Sequence, residues 1–138
     1  MKRAYFQKLE NCSDLAEIDL RELTAELPFD TQGLLPVITQ DASSKEVLML
    51  AWMNKTALEK TLETGYVTYW SRSRNEIWVK GATSGHTQEL VNLSIDCDGD
   101  AILCLVKQTG AACHTGRRHC FYLNVDSEHQ KVQVLGGD

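Results

Sequence analysis

The stretch that decides the fold is VLMLAWMNKTALEKTLETGYVTYW, residues 47–70. Its apolar opening, Val47-Leu48-Met49-Leu50, predicts a buried strand because it is short and bounded by polar residues. Asn54 is a favourable N-cap and Gly65 a favourable C-terminal residue, so the two together predict a helix over 55–64. The stretch therefore predicts a strand followed directly by one central helix.

The same stretch continues into a second strand and indicates the class of fold. Leu58 and Leu62 are expected to form the buried stripe of the helix. Aromatic and β-branched residues over 66–70 predict a strand, and 77–79 repeats the pattern after a polar turn. Four further segments have the composition of strands: 34–38, 89–95, 101–107 and 121–125. We expect an α+β fold, a small strand-rich domain with one central helix.

The ends of the chain differ from this central part. Helical spacing of Ala16, Leu20, Leu23 and Leu27 predicts an amphipathic helix. Asp14 is its expected N-cap, with Glu17 three residues later, and Pro28 ends it. We therefore expect three parts: an N-terminal helical extension over 1–30, a main domain over 31–125 and a polar, frayed tail over 126–138.

Composition and charge restrict the possible functions. The chain has 138 residues, of which 43% are hydrophobic and 24% charged, values typical of one globular domain. No apolar run approaches the roughly 20 residues that span a bilayer, and no signal peptide is evident. The net charge of −5 is the wrong sign for a general nucleic-acid-binding protein. We expect a cytoplasmic protein that binds neither membranes nor nucleic acids.

The cysteines point to metal binding or catalysis. There are five, an odd number, in a chain with no export signal, so a disulfide framework is a poor interpretation. Cys104 lies within an apolar run and is expected to be a buried small residue. Cys12 lies in the N-terminal extension and receives no role. The other three, Cys97, Cys113 and Cys120, are candidate metal ligands.

The segment Asp96-Cys97-Asp98-Gly99-Asp100 carries three alternating carboxylates. Gly99 permits a tight turn between them. On an extended segment alternate side chains share a face, so Asp96, Asp98 and Asp100 could converge on one hard cation such as Mg²⁺, with Cys97 pointing the other way. An EF-hand is excluded, because Ala101 and Lys107 occupy the positions that need Gly and Glu. The competing interpretation is a solvated acidic turn.

The segment Cys113-His114-Thr115-Gly116-Arg117-Arg118-His119-Cys120 carries two more thiols. Together with Cys97 these supply three thiolates, and a zinc ion with three protein ligands keeps an open position for water. Zinc lowers the pKa of such a water toward about 7. His114 could manage its proton, or could be an ordinary loop histidine, whereas a surface role is expected for His119.

A basic and hydroxyl-rich set accompanies these motifs and suits an anionic substrate. Guanidinium and ammonium groups, hydroxyls and flexible backbone are what phosphate recognition requires. A solvated surface is the alternative for each residue taken singly. The candidate phosphate-binding residues are Arg72, Arg74, Lys80, Thr83, Ser84, His86, Arg117 and Arg118.

Taken together, these motifs resemble the phosphoribosyl-AMP cyclohydrolase family of histidine biosynthesis, in its monofunctional form. The resemblance extends from Phe29 to Tyr122, and its motifs occur in order. They are GLLP (33–36), VLMLAWMN (47–54), YWSRSR (69–74), WVKGATSGH (78–86), DCDGD (96–100), QTG (108–110), ACHTGRR (112–118) and CFY (120–122).

The resemblance implies a metal-dependent hydrolase that opens the adenine ring of 1-(5-phosphoribosyl)-AMP between N1 and C6, giving a formimino aminoimidazole carboxamide ribotide. It implies zinc on Cys97, Cys113 and Cys120, magnesium on Asp96, Asp98 and Asp100, and an intertwined homodimer whose subunits share the zinc. We expect a zinc-bound hydroxide to attack C6, His114 to act as the catalytic acid and base, and magnesium and the basic residues to hold the phosphates.

Two other classes of protein remain possible from the residues alone. A zinc-dependent nucleobase deaminase would attack a purine carbon in the same way, but its His-x-Glu motif is absent, and His86-Thr87-Gln88 lacks the acid. A non-catalytic interaction module stabilised by zinc would explain the cysteines but not the phosphate-binding cations. It would hold zinc with four protein ligands and no exchangeable water.

Overall fold

The structure, a computed structural model, describes residues 2–136, with side chains from residue 4 onward. The elements are α1 (Lys2–Leu9), α2 (Leu20–Ala25), β1 (Leu35–Asp41), β2 (Val47–Met53), α3 (Lys55–Thr64), β3 (Thr68–Ser71), β4 (Glu76–Val79), β5 (Gln88–Ile95), β6 (Ile102–Gln108), β7 (Leu123–Asp126) and β8 (Lys131–Val134). A four-stranded sheet in the order β2-β1-β6-β5 forms the centre; β1 and β6 are parallel and the other neighbours antiparallel. The predicted α+β class is confirmed.

Helix α3 has the predicted bounds because local chemistry fixes both ends. The side chain of Asn54 accepts a hydrogen bond from the Ala57 amide at 2.8 Å, and Gly65 ends the helix with a φ of 81°. The predicted stripe is half wrong, since Leu58 is buried but Leu62 is 38% exposed. Thr61 takes the inner position instead, because its hydroxyl bonds to the Ala57 carbonyl and to β3, so its polar group is satisfied inside the core.

The core between the sheet, α3 and β3 contains a buried polar chain. The Tyr69 hydroxyl donates to Gln88 Oε1 at 2.6 Å and lies 2.6 Å from the Thr39 hydroxyl. The amide of Gln88 donates in turn to Gln108 at 2.8 Å, which joins β3, β5 and β6. Burial raises the pKa of Tyr69, so this hydroxyl stays protonated and available as a donor. The network fixes the register of the strands beneath the candidate site.

The N-terminal extension contains two short helices and not the single predicted one. Asp19, not Asp14, is an N-cap, and its carboxylate accepts a hydrogen bond from the Glu22 amide at 3.1 Å. The sequence contains the same capping pattern twice, five residues apart, and the second copy is the one that forms a cap. Phe6 of α1 is 3% exposed and packs on Gly99, which attaches the extension to the main domain.

The C-terminal tail was predicted to fray, and this is wrong for its described part. Strand β7 begins at Leu123 rather than 121, and β8 pairs with it in antiparallel register. The alternation of Val132 and Val134 with polar residues was the missed signal for a strand. Every residue of this hairpin is exposed. Residues 137–138 of the predicted tail lie outside the described residues.

No helix within residues 2–136 has the length and apolar character needed to cross a membrane. The predicted cytoplasmic location and the division into three parts stay predictions.

Candidate active site

A loop between β6 and β7 brings two of the predicted zinc ligands together. Its two sides pair through the Ala112 amide on the Arg118 carbonyl and the Cys113 amide on the Arg117 carbonyl, each at 3.1 Å. The Cys120 amide donates to the Leu48 carbonyl at 2.7 Å, which fixes the end of the loop to β2. Closure of the loop places the side chains of Cys113 and Cys120 near enough for each thiol to shift the pKa of the other. We call residues 112–120 the thiol loop.

The two thiols of this loop have different electrostatic surroundings. Burial acts to raise the pKa of Cys113, but hydrogen bonds from Thr115 and Cys120 and the charge of Arg117 together lower it. Burial and the neighbouring Cys113 raise the pKa of Cys120 to about 11. Zinc would bind two such neighbouring sulfurs as thiolates and displace the protons that they still carry. The donor chemistry of the pair therefore fits zinc.

Thr115 is a contributor that the sequence reasoning missed. Its hydroxyl donates to the Cys113 sulfur at 3.1 Å. A hydroxyl two residues after a candidate ligand is a common local hydrogen-bonding arrangement, and this spacing was the available signal.

The third predicted zinc ligand lies elsewhere in the chain. Cys97 is exposed and lines a small cleft with Asp96, Phe6 and Leu9, away from the thiol loop. Among the residues that the structure describes, no group of three His, Cys, Asp or Glu side chains is placed to hold one metal ion. A single chain thus assembles two of the three predicted thiols.

The acid turn, residues 96–100, is the tight turn that Gly99 was expected to permit, and its aspartates do not alternate along one extended strand. The Gly99 amide donates to the Asp96 carbonyl at 3.0 Å, and the Asp100 amide donates to Asp96 Oδ1 at 2.9 Å. Gly99 has a φ of 74°, so the glycine allows a tight turn rather than alternation along a strand. A hydrogen bond with Asp96 raises the pKa of Asp100. The structure thus brings Asp96 and Asp100 together, but among the described residues the three aspartates do not form one three-ligand group. A pair of carboxylates still fits a hard cation such as magnesium, because the cation would offset their repulsion.

A cleft of about 680 Å³ lies beside the thiol loop and collects most of the predicted substrate-binding residues. It is formed where β4 and the turn after it meet the residues before and within the thiol loop. Cys113, His114 and the indole of Trp78, which the sequence reasoning did not single out, line it. The predicted phosphate-binding residues in its wall are Arg74, Lys80, Thr83, Ser84 and His86.

Two glycines allow the backbone and His86 to approach closely in this cleft. A side chain at Gly81 would overlap the backbone of His86, and Gly81 has a φ of 80°. A side chain at Gly110 would overlap the His86 ring. The Ser84 hydroxyl accepts a hydrogen bond from the His86 amide at 3.2 Å. The glycines of the two predicted motifs therefore shape one wall of the cleft.

Three of the predicted substrate-binding cations lie outside this cleft. The guanidinium of Arg72 lies 4.5 Å from the Trp52 ring centre and lines a different surface cleft. Arg117 stacks 3.9 Å from the centre of the Tyr122 ring and donates to the Leu135 carbonyl. Arg118 pairs with Glu46 at 2.6 Å. The structure does not bring these three together with Arg74.

Comparison with known proteins agrees with these motifs. The model of the family described as phosphoribosyl-AMP cyclohydrolase matches residues 49–122. A protein of that name from Roseobacter denitrificans is 62% identical over 81% of this chain and 88% of its own length. Another from a Ruegeria species is 52% identical over 93% of this chain and 97% of its own length. The chain belongs to the phosphoribosyl-AMP cyclohydrolase family. The predicted membership is confirmed, and so is the predicted enzyme class, a hydrolase.

The range matched by the phosphoribosyl-AMP cyclohydrolase model contains the cleft, the acid turn and the thiol loop. It begins within β2 and ends before the β7–β8 hairpin, so α1, α2 and the hairpin lie outside it. A relative from Alkalilimnicola ehrlichii is nevertheless similar over 92% of this chain, at 54% identity. The candidate metal-binding and substrate-binding residues of this chain therefore lie in the matched range. Helix α1, which packs on the acid turn, lies outside it.

Proposed function

We propose that this protein hydrolyses 1-(5-phosphoribosyl)-AMP, as the names of its relatives indicate, and so acts in histidine biosynthesis. Water would add at C6 of the adenine ring and the N1–C6 bond would break, giving the formimino aminoimidazole carboxamide ribotide. One observation carries the proposal: Cys113, His114 and Arg74 line a single cleft large enough for a nucleotide.

Two kinds of metal would contribute through different residues. Cys113 and Cys120 would hold zinc, with Cys97 supplied by a second copy of the chain. A bound zinc would act as a Lewis acid that makes water nucleophilic at neutral pH. Asp96, Asp98 and Asp100 would hold magnesium, which suits hard oxygen ligands and phosphate oxygens.

His114 would move the proton during ring opening. It is exposed, lines the cleft and directly follows Cys113, so its ring can lie beside a water held near the sulfurs. The imidazole would take a proton from the attacking water and return one to N1 as the C6–N1 bond breaks, which balances the hydrolysis. Replacing His114 with Ala should lower kcat by about 10²–10⁴-fold while the protein remains folded.

Arg74, Thr83, Ser84 and His86 would hold and orient the nucleotide. All four line the cleft, and the Thr83 and Ser84 hydroxyls lie in the turn closed by Gly81. A guanidinium can bind two phosphate oxygens at once. Arg72, Arg117 and Arg118 would reach a phosphate by exchanging their present contacts with Trp52, Tyr122 and Glu46.

A homodimer would complete the site. The position of Cys97, beside Phe6 and away from the other two thiols, supports a zinc site shared between subunits. The β7–β8 hairpin exposes Leu123, Val125, Val132 and Val134, apolar surface of the kind that interfaces cover. The molecular mass in solution, measured with and without zinc, tests this part.

An assay with purified protein and phosphoribosyl-AMP tests the whole proposal. Ring opening without ammonia release, abolished by a metal chelator and restored by zinc, is the expected result. Ammonia release would indicate a deaminase, which attacks the same kind of carbon. Stoichiometric zinc without turnover would indicate a structural zinc module and contradict the proposal.

A further inference from the structure

Lys80 is a buried cation in the wall of the cleft. It directly follows β4, its backbone amide donates to the Val67 carbonyl at 3.1 Å, and the residue is 7% exposed. Its ammonium donates to the Ala112 carbonyl at 2.6 Å and lies 5.2 Å from the centre of the Trp78 ring. Ala112 immediately precedes Cys113, so this bond attaches β4 to the thiol loop.

The electrostatic surroundings of Lys80 are unusual for a buried ammonium. Within the described side chains, no carboxylate lies at ion-pairing distance from it. The ionisable groups that interact with its charge are the sulfurs of Cys120 and Cys113. Removing an ammonium from water is unfavourable unless it is paired, and one hydrogen bond to a carbonyl and one ring face compensate only part of this cost. The two sulfurs would supply its counter-charge once zinc binds them as thiolates.

The placement of Lys80 differs from that of Arg74 in the same cleft. A phosphate-binding side chain needs free donors directed at the ligand. The short bond to Ala112 directs the Lys80 ammonium at the protein, and its remaining donors lie beside the thiol loop. No hydrogen bond of the Arg74 guanidinium to the protein occurs among the described residues; its amide alone bonds to the Ser71 hydroxyl.

We propose that Lys80 is a positioning residue for the sulfur ligands and not a phosphate-binding residue: its ammonium fixes the Ala112 carbonyl, and with it Cys113, and places a cation beside the thiol loop. This rests on the proposed function for the presence of zinc. It assigns the two cations of the cleft to different tasks, Arg74 to the substrate and Lys80 to the metal ligands.

Zinc affinity measured by competition with a chromophoric chelator tests the assignment. Lys80→Met keeps the length of the side chain but removes its charge and donors, and we expect zinc to bind about 10–100-fold more weakly, the usual effect of losing a residue that supports metal ligands. Arg74→Met is the matched control, since it removes a cation from the same cleft. Its zinc affinity should stay within about threefold of the wild type.

Steady-state kinetics at saturating zinc test the other half of the assignment, the binding of substrate. Arg74→Met should raise KM for phosphoribosyl-AMP, whereas Lys80→Met should leave KM unchanged once zinc is restored. Lys80→Arg, which keeps the charge and donors, should recover most of the zinc affinity. Should Lys80→Met fail to fold, Lys80→Gln gives the same comparison with a polar, neutral side chain. A raised KM with unchanged zinc affinity in either neutral variant would overturn the inference.

The two measurements also separate this inference from the proposed function. Loss of zinc affinity in Lys80→Met with no turnover by the wild type would support the role of Lys80 and contradict the ring-opening activity. A wild-type protein that turned the substrate over but bound no zinc would overturn the inference and leave the activity standing.

Discussion

The thiol loop and the acid turn are both predicted metal-binding segments, yet the fold supports them in different ways. The thiol loop is attached to the main domain from two sides, through Leu48 of β2 and through Lys80 after β4. The acid turn is a tight turn between β5 and β6 whose glycine packs against Phe6 of the N-terminal extension. One segment depends on the central sheet, and the other depends partly on a helix outside the matched family range.

The two segments place different demands on the fold because they carry different kinds of metal ligand. Thiols need a fixed separation to share an ion, and the paired backbone of the thiol loop provides it before any ion binds. Carboxylates bind hard cations with more varied geometry and retained waters, so a turn held on one side can suffice. We therefore expect substitutions in the thiol loop to reduce zinc binding and turnover. Substitutions near the acid turn should mainly increase the mobility of its backbone.

The largest expected effect comes from removing a sulfur. Cys113→Ala should abolish zinc binding and lower turnover by more than about a hundredfold, since even residues that only support metal ligands contribute 10–100-fold. Metal analysis and the ring-opening assay measure both quantities. Cys12→Ser, an exposed cysteine in the extension, is the control and should change neither. Full zinc content and full rate in Cys113→Ala would contradict the assignment.

The next effect tests the support of the acid turn. Phe6→Ala should destabilise the docking of α1 by roughly 3 kcal/mol, because a nearly fully buried aromatic ring is removed. Hydrogen exchange of the Gly99 and Asp100 amides should become faster, because the ring that packs on the turn is lost. Leu15→Ala changes a side chain that is 91% exposed in the same extension and serves as the control. Equal protection of both amides in Phe6→Ala would show that α1 does not support the turn.

A smaller effect is expected from neutralising one carboxylate. Asp98→Asn keeps the shape of the turn but removes a charge, so half-maximal activation should require about tenfold more magnesium. A magnesium titration of turnover measures it, with Asp14→Asn as an acidic control in the extension. An unchanged titration in Asp98→Asn would count against magnesium on the acid turn.

The smallest effect concerns a surface contact of the thiol loop. Glu46 pairs with Arg118 at 2.6 Å and lies 3.5 Å from the His119 ring nitrogen. Glu46→Gln should lower the free energy of unfolding by only about 0.2–1 kcal/mol, the usual contribution of an exposed ion pair. Zinc affinity should not change, since Leu48 and Lys80 also hold the loop. A large loss of zinc in this variant would mean that the surface pair, and not the buried contacts, positions the sulfurs.

The elements that the sequence predicted well are those fixed by neighbouring residues. Helix α3 has the predicted bounds because Asn54 and Gly65 cap it within a few residues of its ends. The errors occur where two local signals compete. Asp14 and Asp19 offer equivalent caps, and Leu62 and Thr61 offer adjacent inner positions, so only packing decides between them.

The candidate site was predictable in its residue types and only partly in its arrangement. The motifs named Arg74, Thr83, Ser84, His86, Cys113 and His114, and all six line one cleft. Nothing in the sequence showed that Arg72, Arg117 and Arg118 contact Trp52, Tyr122 and Glu46, because the packing of the loops decides those contacts. The support given by Phe6 and Trp78 was missed for the same reason.

By itself the sequence determined the family, the α+β class, the central helix and the chemical types of the site, since each depends on residue identity, short spacing or local capping. Only the tertiary structure decided which groups meet: that Cys113 and Cys120 lie at the two ends of one closed loop while Cys97 lies beside Phe6, and that the ammonium of Lys80 bonds to the thiol loop. The physical reason is that burial and hydrogen bonding between distant segments depend on how the sheet, the helix and the loops pack, and not on local spacing.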